Sequence, residues 1–147
     1  MLLDSNNISI DNKPATSAIT GDAIPLTSLL KPGREEPVCV FIRATEPVCA
    51  ATGDGAASAM TFTIQQSDKK DGTFETVATA TASLDDLAKS VPLAWRWLPP
   101  SVTKSWIKIN ANANGNVASG KIFAAIVRED PLDYEDGMYI DKGQLMC

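Results

Sequence analysis

The sequence predicts an all-β chain, an antiparallel sandwich or jelly roll. Three observations carry this. Short alternating or apolar runs recur along the chain, about seven to nine of them. Turns rich in Gly, Pro, Asn and Asp separate them. Helical signal is confined to one short segment, Ser83–Lys89, where Ser83 precedes Asp86 by three residues in an N-cap pattern.

The clearest unit is Met60–Val77. Met60, Phe62 and Ile64 alternate with Thr61, Thr63 and Gln65, so one face is apolar and the other polar. Ser67–Gly72 is a polar run ending in Asp71-Gly72, suited to a reversal. Phe74–Ala82 resumes as a Thr- and Val-rich strand.

The other elements follow in order. Ile8 and Ile10 suit a short strand that Pro14 interrupts. Ala18–Ile24 suits another, with Leu26, Leu29 and Leu30 as a cluster under a loop, and Lys31–Pro37 is a turn by composition. Val38–Thr45 is apolar on both faces, which predicts a central strand, with Cys39 packed as a small apolar residue. Glu46–Ala59, with Gly53-Asp54-Gly55, is expected to be a flexible surface loop and a candidate contact loop.

Val91–Leu98 is expected to be a strand with Trp95 and Trp97 on one face, stopped by Pro99-Pro100. Lys104–Ala111 places Ile107 and Ile109 on one face and Trp106 and Lys108 on the other. Asn114-Gly115 is a strong hairpin signal, after which Ser119–Val127 returns apolar on both faces. This divides the chain into an N-terminal arm (1–16), a sandwich (17–128) and an acidic C-terminal arm (129–147).

The chain has 147 residues and a net charge of −5, unevenly placed. Acids and bases balance through residue 128. Beyond it, Glu129, Asp130, Asp133, Glu135, Asp136 and Asp141 face Lys142 alone. A balanced body with an acidic end lacks the basic face that nucleic-acid binding requires. The acidic end is either a solvated tail or an arm that docks on a basic partner. No apolar run approaches the ~20 residues of a membrane span, and Met1-Leu2-Leu3-Asp4 lacks the flanks of a signal peptide, so synthesis and use in the cytoplasm is the expectation.

Catalytic constellations are hard to assemble. The chain has no histidine, which removes Ser-His-Asp and Cys-His systems and histidine-ligated metals. Three cysteines, Cys39, Cys49 and Cys147, lack CxxC spacing and point away from a disulfide framework or a zinc site. No phosphate-cradling glycine motif is present. The acid pairs Glu35/Glu36, Asp85/Asp86 and Glu135/Asp136 fall in turns or the tail rather than across a cleft, and Asp133–Gly137 does not match a calcium-loop spacing. The expectation is a protein that is not an enzyme, with no cofactor and no metal.

Two features suit binding. Trp95 and Trp97 are candidates for core packing, an intersubunit contact or a carbohydrate platform. The terminal segments carry more apolar residues than solvation needs: Leu2, Leu3, Ile8 and Ile10 at one end, Tyr134, Met138, Tyr139, Leu145 and Met146 at the other. These nine are the candidate partner interface. Either they fold back on the sandwich or they cover a neighbour.

Several stretches together resemble a known family. They are Phe62-Thr-Ile-Gln-Gln-Ser-Asp, Gly72-Thr-Phe-Glu-Thr-Val, the Leu/Asp segment after it, the Leu98-Pro99 step, Trp106-Ile-Lys-Ile-Asn, and Ser119-Gly-Lys-Ile-Phe-Ala-Ala-Ile-Val. Over residues 60–128 the chain resembles the capsid cement, or decoration, proteins of tailed bacteriophages, in particular the family of the Bordetella phage cement protein. The resemblance implies a jelly-roll-like β-sandwich. It implies a structural virion protein, assembled in the host cytoplasm, that binds the outside of an icosahedral head and bridges subunits of the phage major capsid protein. It also implies a homo-oligomer, with a dimer favoured, and neither nucleic-acid nor membrane partners. The alternative expectation is a carbohydrate-binding β-sandwich of tail-fibre or cell-surface type.

Overall fold

The computed structural model describes residues 5–26, 38–88, 93–95 (backbone), 98 and 100–127. After a single 3-10 turn, Ser5–Asn7, the described residues form nine strands. These are β1 (Ile8–Pro14), β2 (Ile19–Thr20), β3 (Ile24–Pro25), β4 (Cys39–Ala50), β5 (Ala59–Ser67), β6 (Glu75–Ser83), β7 (Leu93–Trp95), β8 (Trp106–Ala113) and β9 (Val117–Val127). A one-turn helix, α1 (Leu84–Leu87), follows β6. None of the described helices is long and apolar enough to cross a membrane.

The strands form an all-β sandwich of two antiparallel sheets. Sheet A has the order β1-β9-β4-β7, and sheet B the order β2-β8-β5-β6, with β3 also paired to β8. The pairing is nested: β1 with β9, β2 with β8, β4 with β7, β5 with β6.

Period two explains the core. In β5 the buried Met60, Phe62 and Ile64 point inward and Thr61, Thr63 and Gln65 are half-buried on the other face. Ile107 and Ile109 of β8, Ile122, Ala124 and Ile126 of β9, and Val40, Ile42 and Ala44 of β4 complete one cluster. The opposite face of sheet A carries a second cluster, Cys39, Phe41 and Val127 with Phe123. The rings of Phe41 and Phe123 meet edge to face at 6.2 Å. The two-faced apolar character of Val38–Thr45 has this cause: β4 lies inside its sheet, apolar on both sides.

Several local expectations hold. Met60–Val77 is a β5–β6 hairpin with Phe62 opposite Ala80 and Ile64 opposite Ala78. Ser83 caps α1: its Oγ accepts from the Asp86 N–H at 3.2 Å and donates to Asp86 Oδ2 at 2.7 Å.

Other expectations change. Ile8 and Ile10 do form a strand, and of the two alternatives for the terminal apolar residues these two take the fold-back one. They lie on β1, paired with Ala125 and Ala124, and Ile10 is fully buried in the core. Glu46–Ala50 is not loop but the continuation of β4, where Val48 is buried. The segment that follows is pinned rather than free. The amides of Ala51 and Ala57 donate to the Asn116 carbonyl, and Asn114 Oδ1 accepts from the amides of Ser58 and Ala59. The Asn114-Gly115 turn is real but closes no hairpin, because β8 and β9 lie in different sheets. A Cβ at Gly115 would stand 2.6 Å from the Gly55 carbonyl oxygen, so the glycine serves the packing of this turn on the 51–58 segment. Cys39 is buried and takes no part in a disulfide, whereas Cys49 is disulfide-bonded.

Candidate functional site

Three surfaces of the sandwich hold groups that can recognise a partner. The first surrounds Gln66, near the end of β5. Its side chain is buried, and every polar atom of it is used. Oε1 accepts from the amides of Thr103 (2.9 Å) and Lys104 (3.2 Å), and Nε2 donates to Glu75 Oε1 at 2.8 Å. Lys104 Nζ lies 3.1 Å from Glu75 and 3.7 Å from Asp68. The hydrogen bond from Gln66, followed by that from Lys104 and its charge, holds the Glu75 carboxyl below the usual carboxylate range. The Lys104 ammonium is pushed up, first by its bond to Glu75. This network anchors the 100–104 segment and leaves no free acid-base pair.

The second surface is an open cleft of about 390 Å³ lined by Asp22, Lys70, Asp71, Phe74 and Lys108. Lys108 Nζ sits 4.2 Å from the centre of the Phe74 ring. One face of the ring is therefore covered by a cation of the same chain. Asp22 is paired with Lys13 at 3.4 Å.

The third surface is the outer side of β6, the edge strand of sheet B among the described residues. It follows from sheet order, and the sequence reading did not single it out. Thr76, Thr79, Thr81 and Ser83 are exposed there, and Val77, Ala78, Ala80 and Ala82 are half-buried.

Of the nine expected interface residues, Ile8 is half-buried on β1 and Ile10 is core. Leu2, Leu3, Tyr134, Met138, Tyr139, Leu145 and Met146 lie outside the described residues. So do Trp97 and the side chain of Trp95; the Trp95 backbone pairs with Val40. The acid pairs Glu35/Glu36 and Glu135/Asp136 and the segment Asp133–Gly137 also fall outside. Asp85 and Asp86 are exposed on α1. Among the described residues no three cysteine, aspartate or glutamate side chains form a metal-binding group. No known protein family and no curated protein matches the chain.

Proposed function

We propose that this chain is a non-enzymatic structural protein of a phage virion, a cement protein that binds the outside of the assembled head. The observation that carries the reading is the nested pairing of strands within a four-stranded and a five-stranded sheet. First-with-last pairing of this kind supports a jelly-roll reading, and the jelly roll is an architecture used by viral capsid and lectin domains. The sequence resemblance over residues 60–128 to phage cement proteins supports the same reading. In such a role the binding energy is spread over many repeated modest contacts with major capsid protein subunits. Molecules that bind only the assembled shell stabilise it by mass action. The acidic 129–147 segment is the contact we assign first, followed by residues 1–7 and the 51–58 segment.

The test uses purified heads of the phage whose genome carries this gene, stripped of the protein. Added protein is expected to saturate the outer surface and to raise the temperature at which heads rupture. A variant lacking residues 130–147 is expected to keep the sandwich folded and to occupy fewer sites. Absence of binding by the full chain refutes the reading, and saturable binding on a glycan array replaces it with carbohydrate recognition.

A further inference from the structure

Sheet B covers one face of sheet A, yet the other face of sheet A is buried as well. In the β4–β9 pairing Cys39 stands opposite Val127 and Phe41 opposite Ala125. These four side chains alternate with the core-facing Val40, Ile42, Ala124 and Ile126 and so point away from sheet B. They are nonetheless only 1% (Cys39), 2% (Val127), 8% (Phe41) and 0% (Ala125) exposed. Among the described apolar residues, only the partly buried Phe123 packs against this outer cluster. Side chains stand perpendicular to a sheet, so neighbours within the sheet lie beside them and not above them. A further segment of chain covers this face.

Cys49 indicates which one. It lies farther along β4, half-buried beside the core-facing Val48 and so on the same outward side. It is disulfide-bonded. The sequence holds three cysteines. Cys39 takes no part in a disulfide, which leaves Cys147.

We propose, independently of the capsid reading, that residues 130–147 cross the outer face of sheet A and are stapled there by a Cys49–Cys147 disulfide. The dimensions permit it. β9 ends at Val127, opposite Cys39. From Cys39 to Cys49 along β4 is about 33 Å at ~3.3 Å per residue. The chain from Val127 to Cys147 reaches at most ~66 Å, so it spans the face with slack. The composition suits the surface beneath. Leu132, Tyr134, Met138, Tyr139 and Leu145 supply apolar cover for Cys39, Phe41 and Val127. Arg43, exposed on the same outward side, is a cation for the segment's carboxylates.

The staple closes by thiol–disulfide exchange with a low-molecular-weight disulfide. The thiolate of one cysteine attacks it and releases one small thiol, leaving a mixed disulfide. The second cysteine thiolate then displaces the other small thiol. Two protein thiols are oxidised, the small disulfide is reduced, and the two protons pass to the departing thiolates. In a reducing cytoplasm the staple stays open, and it closes in oxidising surroundings.

Tryptic mapping tests the staple, because each cysteine falls in its own peptide: 35–43, 44–69 and 143–147. The full chain is equilibrated with glutathione disulfide, alkylated in denaturant and digested without reduction. Peptide 44–69 is expected to be linked to 143–147, in protein that runs as a monomer on a non-reducing gel, with Cys39 alkylated. Three alkylated cysteines overturn the staple, as does a link found only in covalent dimers or one that involves Cys39. The cover is read from the alkylation rate of Cys39 in the native oxidised chain, followed in peptide 35–43. In the variant lacking residues 130–147 that rate is expected to rise at least ~10-fold. The full-length variant Tyr134→Ser/Tyr139→Ser, which strips the segment of its two rings, is expected to move it in the same direction. Hydrogen-exchange protection of Ile107 and Ile109 establishes that each variant is folded. Alkylation at the wild-type rate in both variants overturns the cover.

Discussion

Ser9 is a single hydroxyl holding three elements, and removing it gives a measurable cost. β2 and β3 both pair with β8, but the chain leaves β8 at Gly21–Ala23 between them, so the Ile109 amide has no strand opposite. Ser9 fills the gap: its Oγ accepts from the Ile109 N–H at 2.9 Å and donates to the Asp22 carbonyl at 3.0 Å, at zero exposure. Gly21 is required there, because a Cβ would overlap the Ile109 carbonyl and the Ser9 hydroxyl.

Ser9→Ala removes almost no volume and leaves a buried N–H without an acceptor, a loss of about 1–3 kcal/mol. At ~2–4 °C per kcal/mol for a domain of this size, the melting temperature is expected to fall by roughly 2–12 °C. Thr61→Ala, which breaks an exposed hydroxyl pair, is the control and is expected to change stability by less than ~0.5 kcal/mol. Calorimetry gives the shift, and hydrogen exchange locates it, since the Ile109 amide is expected to lose protection first. Equal melting of Ser9→Ala and Thr61→Ala refutes the reasoning.

Two more outcomes follow from the same geometry. Gly120 has φ 125°, and a Cβ there would lie 2.6 Å from the Val48 Cα and 2.7 Å from the Pro47 oxygen. Gly120→Ala is expected to lose more than ~2 kcal/mol in urea unfolding. Gln66→Leu leaves the Thr103 and Lys104 amides without their acceptor and is expected to lose about 1–3 kcal/mol. It also removes the largest cause that lowers Glu75. Because that carboxyl titrates lower in the folded chain, its stabilisation is present above the ordinary carboxylate range and is lost as pH falls through the lowered value. In Gln66→Leu an NMR titration is expected to place the Glu75 midpoint higher, so that its pH-dependent stabilisation is smaller and its loss is complete at a higher pH.

Period-two patterning made individual strands legible. Met60–Ile64 and Ile107–Ile109 announce a buried face without any knowledge of their neighbours. Sheet membership was not legible in the same way, because it depends on pairings far apart in sequence. Asn114-Gly115 is a local turn signal, yet β8 pairs with β5 and β9 with β4, so the turn crosses between sheets. Ile10 is isolated among polar residues and looks peripheral until Ala124 is placed opposite it. Glu46–Ala50 lacks a strand's composition and is carried by its pairing to β9.

The same limit applies to the candidate site. The Ala-Thr alternation of β6 is plain in the sequence, but that β6 is an edge is a property of the whole sheet. The Gln66 network joins residues nearly forty positions apart, which no local pattern encodes.

Nested pairing also fixes the order in which the chain can fold as it is made. Sheet B is supplied by β2, β5, β6 and β8, all synthesised before residue 114. Sheet A has β9 between β1 and β4, and β9 is the last strand among the described residues. Until residues 117–127 leave the ribosome, β1 lacks its strand partner and, among the described residues, β4 is paired only to the three residues of β7. A nascent chain therefore carries one complete sheet with its apolar face uncovered. It closes when the final strand inserts, a step dominated by contacts distant in sequence and correspondingly slow.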